Sequence, residues 1–187
     1  MKKYIFVLSI LLSACCSTEP NFYQPVATKY ENVASDKFNN TILINQIILP
    51  SEIARPQIIS LGKYDYEIRV DEFNRWASQP EKMFQRVINE NLSNLLPNAL
   101  IENQTVLRKN YKYAIAIEIQ DLNGRLDEKS YLDANYYIKD KRNNIIKSGK
   151  FNKTIAINDG YSAYIPAISN LLGELSKNIA NDIINIK

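Results

Sequence analysis

The chain has 187 residues, with 23 Lys and Arg against 20 Asp and Glu, and a formal net charge of +3. This length predicts one domain with a core of its own, and the small charge gives no indication of a nucleic-acid partner. The absence of His excludes Ser-His-Asp and Cys-His nucleophilic sites and most zinc sites.

The first sixteen residues have the layout of a bacterial lipoprotein signal peptide. Lys2 and Lys3 precede an almost unbroken apolar run, Tyr4–Leu12, which is far shorter than the roughly 20 residues that span a membrane. The following Leu-Ser-Ala-Cys ends at Cys15 and resembles a lipobox, in which the Cys is acylated and the precursor is cut before it. The sequence therefore predicts a signal peptide over 1–14 and lipidation of Cys15. An ordinary signal peptide with a free Cys beyond the cut is the alternative.

Lipidation of Cys15 has consequences for the rest of the chain. Cys16 is the only other cysteine, so it would have no partner for an internal disulfide, and the domain must be stable from its apolar core alone. Lys2 and Lys3 account for two of the three net positive charges and leave with the signal peptide. Because residue 16 is not Asp, the usual sorting of bacterial lipoproteins predicts the inner leaflet of the outer membrane, with the domain facing the periplasm.

Residues 15–40 are predicted to be a flexible tether after the lipidated Cys. Ser17–Asn40 is polar, is interrupted by Pro20 and Pro25, and shows no hydrophobic periodicity. Tyr23 could dock on the domain, in which case part of the tether would be ordered. The domain itself is predicted to extend over 41–187.

Three strands are predicted between residues 41 and 70. Thr41–Leu49 is β-branched and apolar, Gln57–Leu61 is a short apolar run, and Tyr64–Val70 alternates between apolar and charged residues. The last two are separated by a glycine turn, which predicts a hairpin with Tyr64 and Tyr66 on one face.

Two helices are predicted. Ser78 can cap the first helix, Glu81 completes a capping box and Pro80 suits the first turn, and apolar residues then follow at helical spacing until Pro97. The second helix begins near residues 161–164 and carries a long apolar stripe. This stripe packs on a sheet or, alternatively, forms an oligomer seam.

Between the helices the pattern predicts three more strands, Tyr113–Ile119, Leu132–Ile138 and Ile145–Ile157. The expected fold class is α/β (α+β). We expect a two-layer sandwich, with a mixed sheet of about six strands and two main helices on one face.

Signatures of catalysis are missing from the sequence. It has no Gly-rich phosphate loop, no Ser-x-x-Lys and no nucleophile elbow. The acidic pairs Asp71/Glu72 and Asp127/Glu128 lie in polar stretches and are interpreted as solvated surface rather than as glycosidase carboxylates. The sequence therefore predicts a protein that is not an enzyme and that uses no metal or cofactor.

A more specific pattern lies between residues 47 and 96. It consists of Leu49-Pro50, then Arg55-Pro56-Gln57-Ile58, then Arg75-Trp76-Ala77 at the entry to the first helix. This order resembles the PqiC (YmbA) family of ABC-type transport auxiliary lipoproteins, as does the Leu-Ser-x-x-Ile-Ala pattern at 175–180. Two departures concern the contacts of Arg55 and the helix entry: Ala54 stands where that family commonly has Asp, and Ser78-Gln79-Pro80 replaces a tighter Glu-Pro.

The resemblance implies a non-catalytic periplasmic lipoprotein anchored in the outer membrane. Such a subunit works with an MCE-domain protein in moving lipid between the two membranes, docks the transporter at the outer membrane and supports envelope integrity. A ring-like homo-oligomer is one arrangement in which it would do so. The alternative is a free-standing periplasmic lipid carrier, which would need an apolar cavity of about 300–1,000 Å³ between sheet and helices.

Five residues are candidates for partner binding, since Trp, Tyr and Arg dominate interface hot spots: Arg55, Gln57, Tyr64, Tyr66 and Trp76. Two of them have structural alternatives. Trp76 would instead close the sheet edge, and Arg55 would instead pair with Glu52 or Asp71.

Overall fold

The computed structural model describes residues 18–103 and 110–186, so the predicted signal peptide and Cys15 lie outside the described residues. Within these ranges the chain forms eight strands: β1 Asn21–Tyr23, β2 Thr41–Ile44, β3 Gln57–Leu61, β4 Ile68–Trp76, β5 Leu100–Asn103, β6 Tyr113–Arg125, β7 Lys129–Lys139 and β8 Ile145–Ala156. It also forms two helices, α1 Pro80–Leu95 and α2 Gly160–Ile184.

The strands divide into two sheets. The large sheet has the order β5-β2-β6-β7-β8 and the small sheet the order β1-β4-β3. In the large sheet β2 runs parallel to β5 and β6, whereas β6, β7 and β8 are antiparallel. In the small sheet β3 and β4 form an antiparallel hairpin, and β1 runs parallel to β4. The predicted mixed α+β sandwich with two main helices is confirmed, with its strands in two sheets instead of the expected single sheet of about six.

The core lies between the large sheet and the two helices. Alternate residues of β7 are buried on the helix side, from Leu132 to Ile138, while the residues between them are half-buried on the other side. In α2 the stripe that includes Ile168, Leu172 and Ile179 is fully buried within the chain. The predicted packing of this stripe on a sheet is thus confirmed.

The segment before the first predicted strand is bound to the domain. Tyr23 in β1 stacks on Tyr161 with ring centroids 5.5 Å apart, and residues 24–35, which we call the strap, then cross both helices. The four shortest hydrogen bonds between the strap and the helices are Val26 N–H to Ser169 Oγ (3.1 Å), Thr28 N–H to Asn91 Oδ1 (2.8 Å), Tyr30 O–H to the Gly173 carbonyl (2.9 Å) and Ala34 N–H to the Leu95 carbonyl (2.8 Å). Such bonds require no hydrophobic repeat in the sequence. The segment therefore has no periodic pattern, and the sequence predicted it to be a flexible tether.

The hairpin and the start of α1 differ locally from their prediction. Strand β4 begins at Ile68 and not at Tyr64, because residues 62–67 form a turn closed by Gly62 N–H to the Glu67 carbonyl (2.7 Å). Helix α1 begins at Pro80 with Gln79 as its N-cap and with no side-chain cap. The predicted capping box of Ser78 and Glu81 is therefore not formed.

One predicted strand in the N-terminal half is shorter than expected, and the short strands β1 and β5 were not predicted. The predicted strand Thr41–Leu49 is regular only to Ile44, after which a single bridge joins Ile48 to Glu118. Strand β5 follows α1 directly and pairs with the free edge of β2, and its four residues are too few to show a periodic pattern.

A candidate partner-binding groove

A groove of about 590 Å³ opens where β4 leads into α1. Residues 54–56 line one side and residues 76–82 line the other, with Gln46 at the rim. Arg55 and Trp76, two of the five predicted partner-binding residues, therefore contribute to one surface.

Local backbone chemistry brings these two segments together. Ile53 is buried, and its N–H and that of Ala54 both donate to the Pro50 carbonyl (3.0 and 2.9 Å), which turns the chain after β2. Pro56 disfavours helical geometry at Arg55 and keeps it extended. Trp76 N–H then donates to the Pro56 carbonyl (2.7 Å), so the arginine loop is fixed beside the end of β4.

Trp76 is mainly a packing residue. Its side chain is 6% exposed and meets Phe84 of α1 edge to face, with ring centroids 5.5 Å apart. An aromatic pair of this geometry contributes about 0.5–1.5 kcal/mol beyond its buried area. The ring joins the small sheet to α1 and also lines the groove.

Arg55 is not neutralised by the acids considered from the sequence. Its Nε is buried and has no hydrogen-bond partner among the described residues, and none of their ion pairs joins it to Glu52 or Asp71. A buried donor without an acceptor costs about 1–3 kcal/mol. Arg55 as a whole is half-buried, and its side chain forms no hydrogen bond or ion pair with the described residues, so its guanidinium can donate to an acceptor from outside the chain.

Asp71 is committed to other partners. Burial works against its ionisation, but hydrogen bonds from the Asn74 side chain, the Phe73 N–H and the Tyr161 hydroxyl together hold its pKa below the usual value. These bonds connect β4 to the start of α2, and they explain why this carboxylate does not pair with Arg55.

The surroundings of the groove add positive potential. Lys82 is exposed at the rim, and the first turn of α1 contributes backbone N–H groups that no side chain caps. Glu81 is the one acidic residue among the groove-lining residues described. The balance of charges favours an acidic or carbonyl-rich occupant. Lys82 and Gln46 were not singled out from the sequence, where an exposed lysine and glutamine carry no distinguishing pattern.

The other three predicted residues lie outside this groove. Gln57 donates to Glu72 Oε2 (3.2 Å) within a cross-strand polar cluster with Arg75. Tyr64 and Tyr66 are in the β3–β4 turn, at the opposite end of the hairpin, since Gln57 pairs with Arg75 while Leu61 pairs with Ile68. The structure thus separates the two tyrosines from Arg55 and Trp76.

Two further properties bear on function. No group of three His, Cys, Asp or Glu among residues 18–103 and 110–186 is placed to hold a metal ion. Neither helix in this part of the chain is long and apolar enough to cross a membrane.

Comparison with known proteins places the chain in a family. The family described as "ABC-type transport auxiliary lipoprotein component" matches residues 24–180, from the start of the strap into the last turns of α2. A search of the curated proteins found no match.

Several solved structures have folds similar to that of this chain. A crystal structure of an uncharacterised protein superposes with a TM-score of 0.70 at 18% identity, covering 89% of this chain and 99% of the other. A Xanthomonas campestris protein of the DUF330 family gives a TM-score of 0.73 at 14% identity, covering 87% and 94%. The PelC dodecamer of Paraburkholderia phytofirmans is more distant, with a TM-score of 0.48 at 10% identity over 85% and 92% of the two chains. At these identities the likeness concerns the fold.

Proposed function

The chain belongs to the ABC-type transport auxiliary lipoprotein family, and on this basis we propose that it is a non-catalytic subunit of an MCE-type system that moves lipid between two membranes. Cys15 carries the lipid anchor and holds the domain at the inner leaflet of the outer membrane. The domain faces the periplasm, docks the transporter there and so supports envelope integrity.

The groove beside Arg55 is the observation that supports docking. Two contacts hold the wall of this groove together: the Trp76 ring packs on Phe84, and the Trp76 backbone N–H donates to the Pro56 carbonyl. Arg55 is half-buried and its Nε has no acceptor among the described residues, and arginine is one of the residue types enriched at interface hot spots. A transporter segment with an acidic side chain or exposed carbonyl groups would satisfy it.

A free-standing lipid carrier is the alternative function. It would require an apolar cavity between the large sheet and the helices, but this space is filled by fully buried side chains such as Ile115, Ile117 and Leu172. The packing therefore favours the docking subunit. The ring-like homo-oligomer remains a prediction from the sequence.

Recovery of partners from native envelopes tests the proposal. We would purify the full-length lipoprotein and its Arg55→Gln variant from gently solubilised envelopes, identify partners by mass spectrometry and extract bound lipid in parallel. Loss of a hot-spot arginine costs about 2 kcal/mol or more, so we expect R55Q to recover an MCE-domain protein at least about tenfold less well.

Arg142→Gln provides the matched control, because Arg142 is an exposed arginine in the β7–β8 turn, far along the chain from the groove. This variant should recover the partner as the wild type does. Equal recovery by R55Q and wild type would remove the groove from the proposal. Stoichiometric phospholipid without an MCE-domain protein would instead identify a carrier.

A further inference from the structure

The β3–β4 turn and the strand after it carry a surface of exposed apolar side chains. We call this surface the hairpin patch; its members are between 40% and 85% exposed and comprise Tyr64, Tyr66, Ile68, Val70 and Phe73. Tyr64 and Tyr66 lie in the turn, and Ile68, Val70 and Phe73 lie in the part of β4 that precedes its pairing with β1. Tyr64 and Tyr66 contact each other, and an exposed apolar patch marks a contact with another phase or molecule.

The tip of the patch combines two tyrosines and a lysine with two acidic residues, Asp65 and Glu67, which form ion pairs with Arg125 and Arg69. The rings of Tyr64 and Tyr66 stack with their centroids 5.3 Å apart, and Lys63 Nζ lies 5.5 Å from the centre of the Tyr64 ring. Neither tyrosine hydroxyl is hydrogen-bonded to the described residues. Tyrosine rings with free hydroxyls beside a lysine suit the boundary between headgroups and acyl chains, where one end of the side chain is apolar and the other is hydrated.

The direction of β1 shows on which side of the domain the N-terminal segment emerges. Asn21 pairs with Asn74 and Tyr23 with Trp76 in a parallel arrangement. Residues that precede Asn21 therefore leave the sheet toward the beginning of β4, which is the end that carries the hairpin patch. The groove beside Trp76 is at the other end.

The length of this connection limits how far the domain can be from its anchor. Only Cys16 to Pro20 separate Cys15 from Asn21, and six extended peptide units reach at most about 20 Å. The same number of residues along β4 leads from Asn74 back to Ile68, at the base of the tyrosine turn. A lipid on Cys15 would thus keep the turn end of the hairpin close to the bilayer.

We propose that the hairpin patch rests on the bilayer in which Cys15 is anchored, with Tyr64 and Tyr66 at the headgroup level. This inference depends on lipidation of Cys15, which is part of the proposed function. Acylation at this position supplies the affinity for the membrane, and the patch determines the orientation. In this orientation the groove of Arg55 and Trp76 faces away from the bilayer, toward a partner in the aqueous space.

Spin-label accessibility tests the orientation directly. The full-length lipidated protein, with Cys16→Ser to remove the spare thiol, would carry a nitroxide at Tyr66→Cys and be reconstituted into vesicles of phosphatidylethanolamine and phosphatidylglycerol. Collisions with oxygen, which concentrates in lipid, are compared with collisions with a water-soluble nickel complex. Tyr66 is 85% exposed, so the label should not disturb the fold; Tyr64→Cys serves as a second site if it does.

The matched control is Ser78→Cys, an exposed position at the groove end of β4. We expect the label at 66 to become several-fold more accessible to oxygen and less accessible to nickel on reconstitution, whereas the label at 78 stays accessible to nickel. Nickel access at 66 equal to that at 78 would overturn the proposal. Protection of position 66 from both reagents would also overturn it, because that result identifies a protein contact, with a partner or with a second copy.

These outcomes are separable from failure of the proposed function. Mass spectrometry of the same sample reports whether Cys15 carries lipid, and an unmodified Cys15 would refute the anchor and with it this inference. A lipidated protein whose tyrosines remain in water would refute the orientation alone and leave the docking proposal standing on Arg55.

Discussion

Two aspartates lie directly opposite each other on the helix-free face of the large sheet. Asp121 pairs with Asp133 across β6 and β7 because a bulge after Ile119 shifts the register by one residue. Burial raises the pKa of Asp121, and the negative charges of Glu52 and Asp133 raise it further, while the hydroxyl of Tyr131 donates to its carboxylate and opposes the shift. Like charges in directly opposed positions destabilise a sheet.

Replacement of one aspartate gives a pH-dependent test. An acid whose pKa is raised by folding stabilises the protein fully below its unfolded pKa of about 3.9, and this contribution is lost as the pH rises through the folded pKa. We therefore expect Asp121→Asn to be more stable than wild type at about pH 7, by roughly 0.2–1 kcal/mol. The difference should fade toward about pH 4, as measured by urea unfolding across this range.

Asp36→Asn is a suitable control for this experiment, because Asp36 is exposed and lies outside both sheets. It should show no such gain. A gain in D121N that does not change with pH would mean that ionisation of Asp121 is not its cause.

The asparagine in D121N can keep a hydrogen bond to Asn123. In the wild type, Asn123 Nδ2 donates to Asp121 Oδ1 (2.7 Å), and the Asn123 side-chain oxygen is unpaired among the described residues. If the Asn123 amide turns over, this oxygen can accept from the new asparagine.

At the scale of elements, the contact between the strap and α2 depends on one glycine. A β-carbon at position 173 would overlap Thr28 Oγ1 and lie 3.0 Å from Thr28 Cβ and 3.3 Å from the Tyr30 hydroxyl. The absence of a side chain lets the Tyr30 hydroxyl donate to the Gly173 carbonyl (2.9 Å). Burial there raises the pKa of Tyr30 to about 12.

We expect Gly173→Ala to destabilise the protein despite the better helix propensity of alanine. Overpacking of a closed contact costs about 1–3 kcal/mol, against a propensity gain of roughly 1 kcal/mol. The free energy of unfolding of G173A, of Thr28→Ala and of the double variant would form a double-mutant cycle. The double variant should recover part of the loss, because T28A removes the overlapping hydroxyl but keeps the backbone bond to Asn91.

Asn178→Ala, on the exposed side of α2, measures the propensity gain without the strap contact. It should be neutral or slightly stabilising. If G173A were as stable as N178A, the strap would have to sit further from α2 than the structure places it.

At the scale of the whole molecule, the strap and β1 make the N-terminal segment part of the folded unit. Its bonds reach Asn91 and Leu95 in α1 and Ser169 and Gly173 in α2. It therefore crosses the helix layer on the side away from the large sheet. Removal of a flexible tether would leave the free energy of unfolding of the domain unchanged, whereas removal of a bound strap would lower it.

Truncation distinguishes these cases. A chain that begins at Asp36 should unfold at lower urea than one that begins at Thr18, with a loss of about 2–6 kcal/mol from the four shortest strap hydrogen bonds if each contributes roughly 0.5–1.5 kcal/mol. The apolar helix surface exposed by the truncation adds to this loss. Equal urea midpoints for the two chains would show that the strap contributes nothing to stability.

The sequence alone determined the elements whose signal is periodic. Residues of β7 alternate with period two, and the apolar residues of α2 recur at helical spacing, so their buried faces were predictable from the solvent preference of each side chain. The motifs around Arg55 and Trp76 were enough to indicate the family and two residues of the candidate groove.

Only the tertiary structure decided the strap, the β-bulge and the division of the five predicted residues between two ends of one hairpin. The strap is held by single backbone bonds to helix side chains, which impose no repeat on the sequence. Arg55 can bind a partner because Asp71 accepts hydrogen bonds from Asn74 of β4 and Tyr161 of α2 and does not pair with Arg55. Such choices arise from distances between segments far apart in the chain, and a linear pattern contains no information about them.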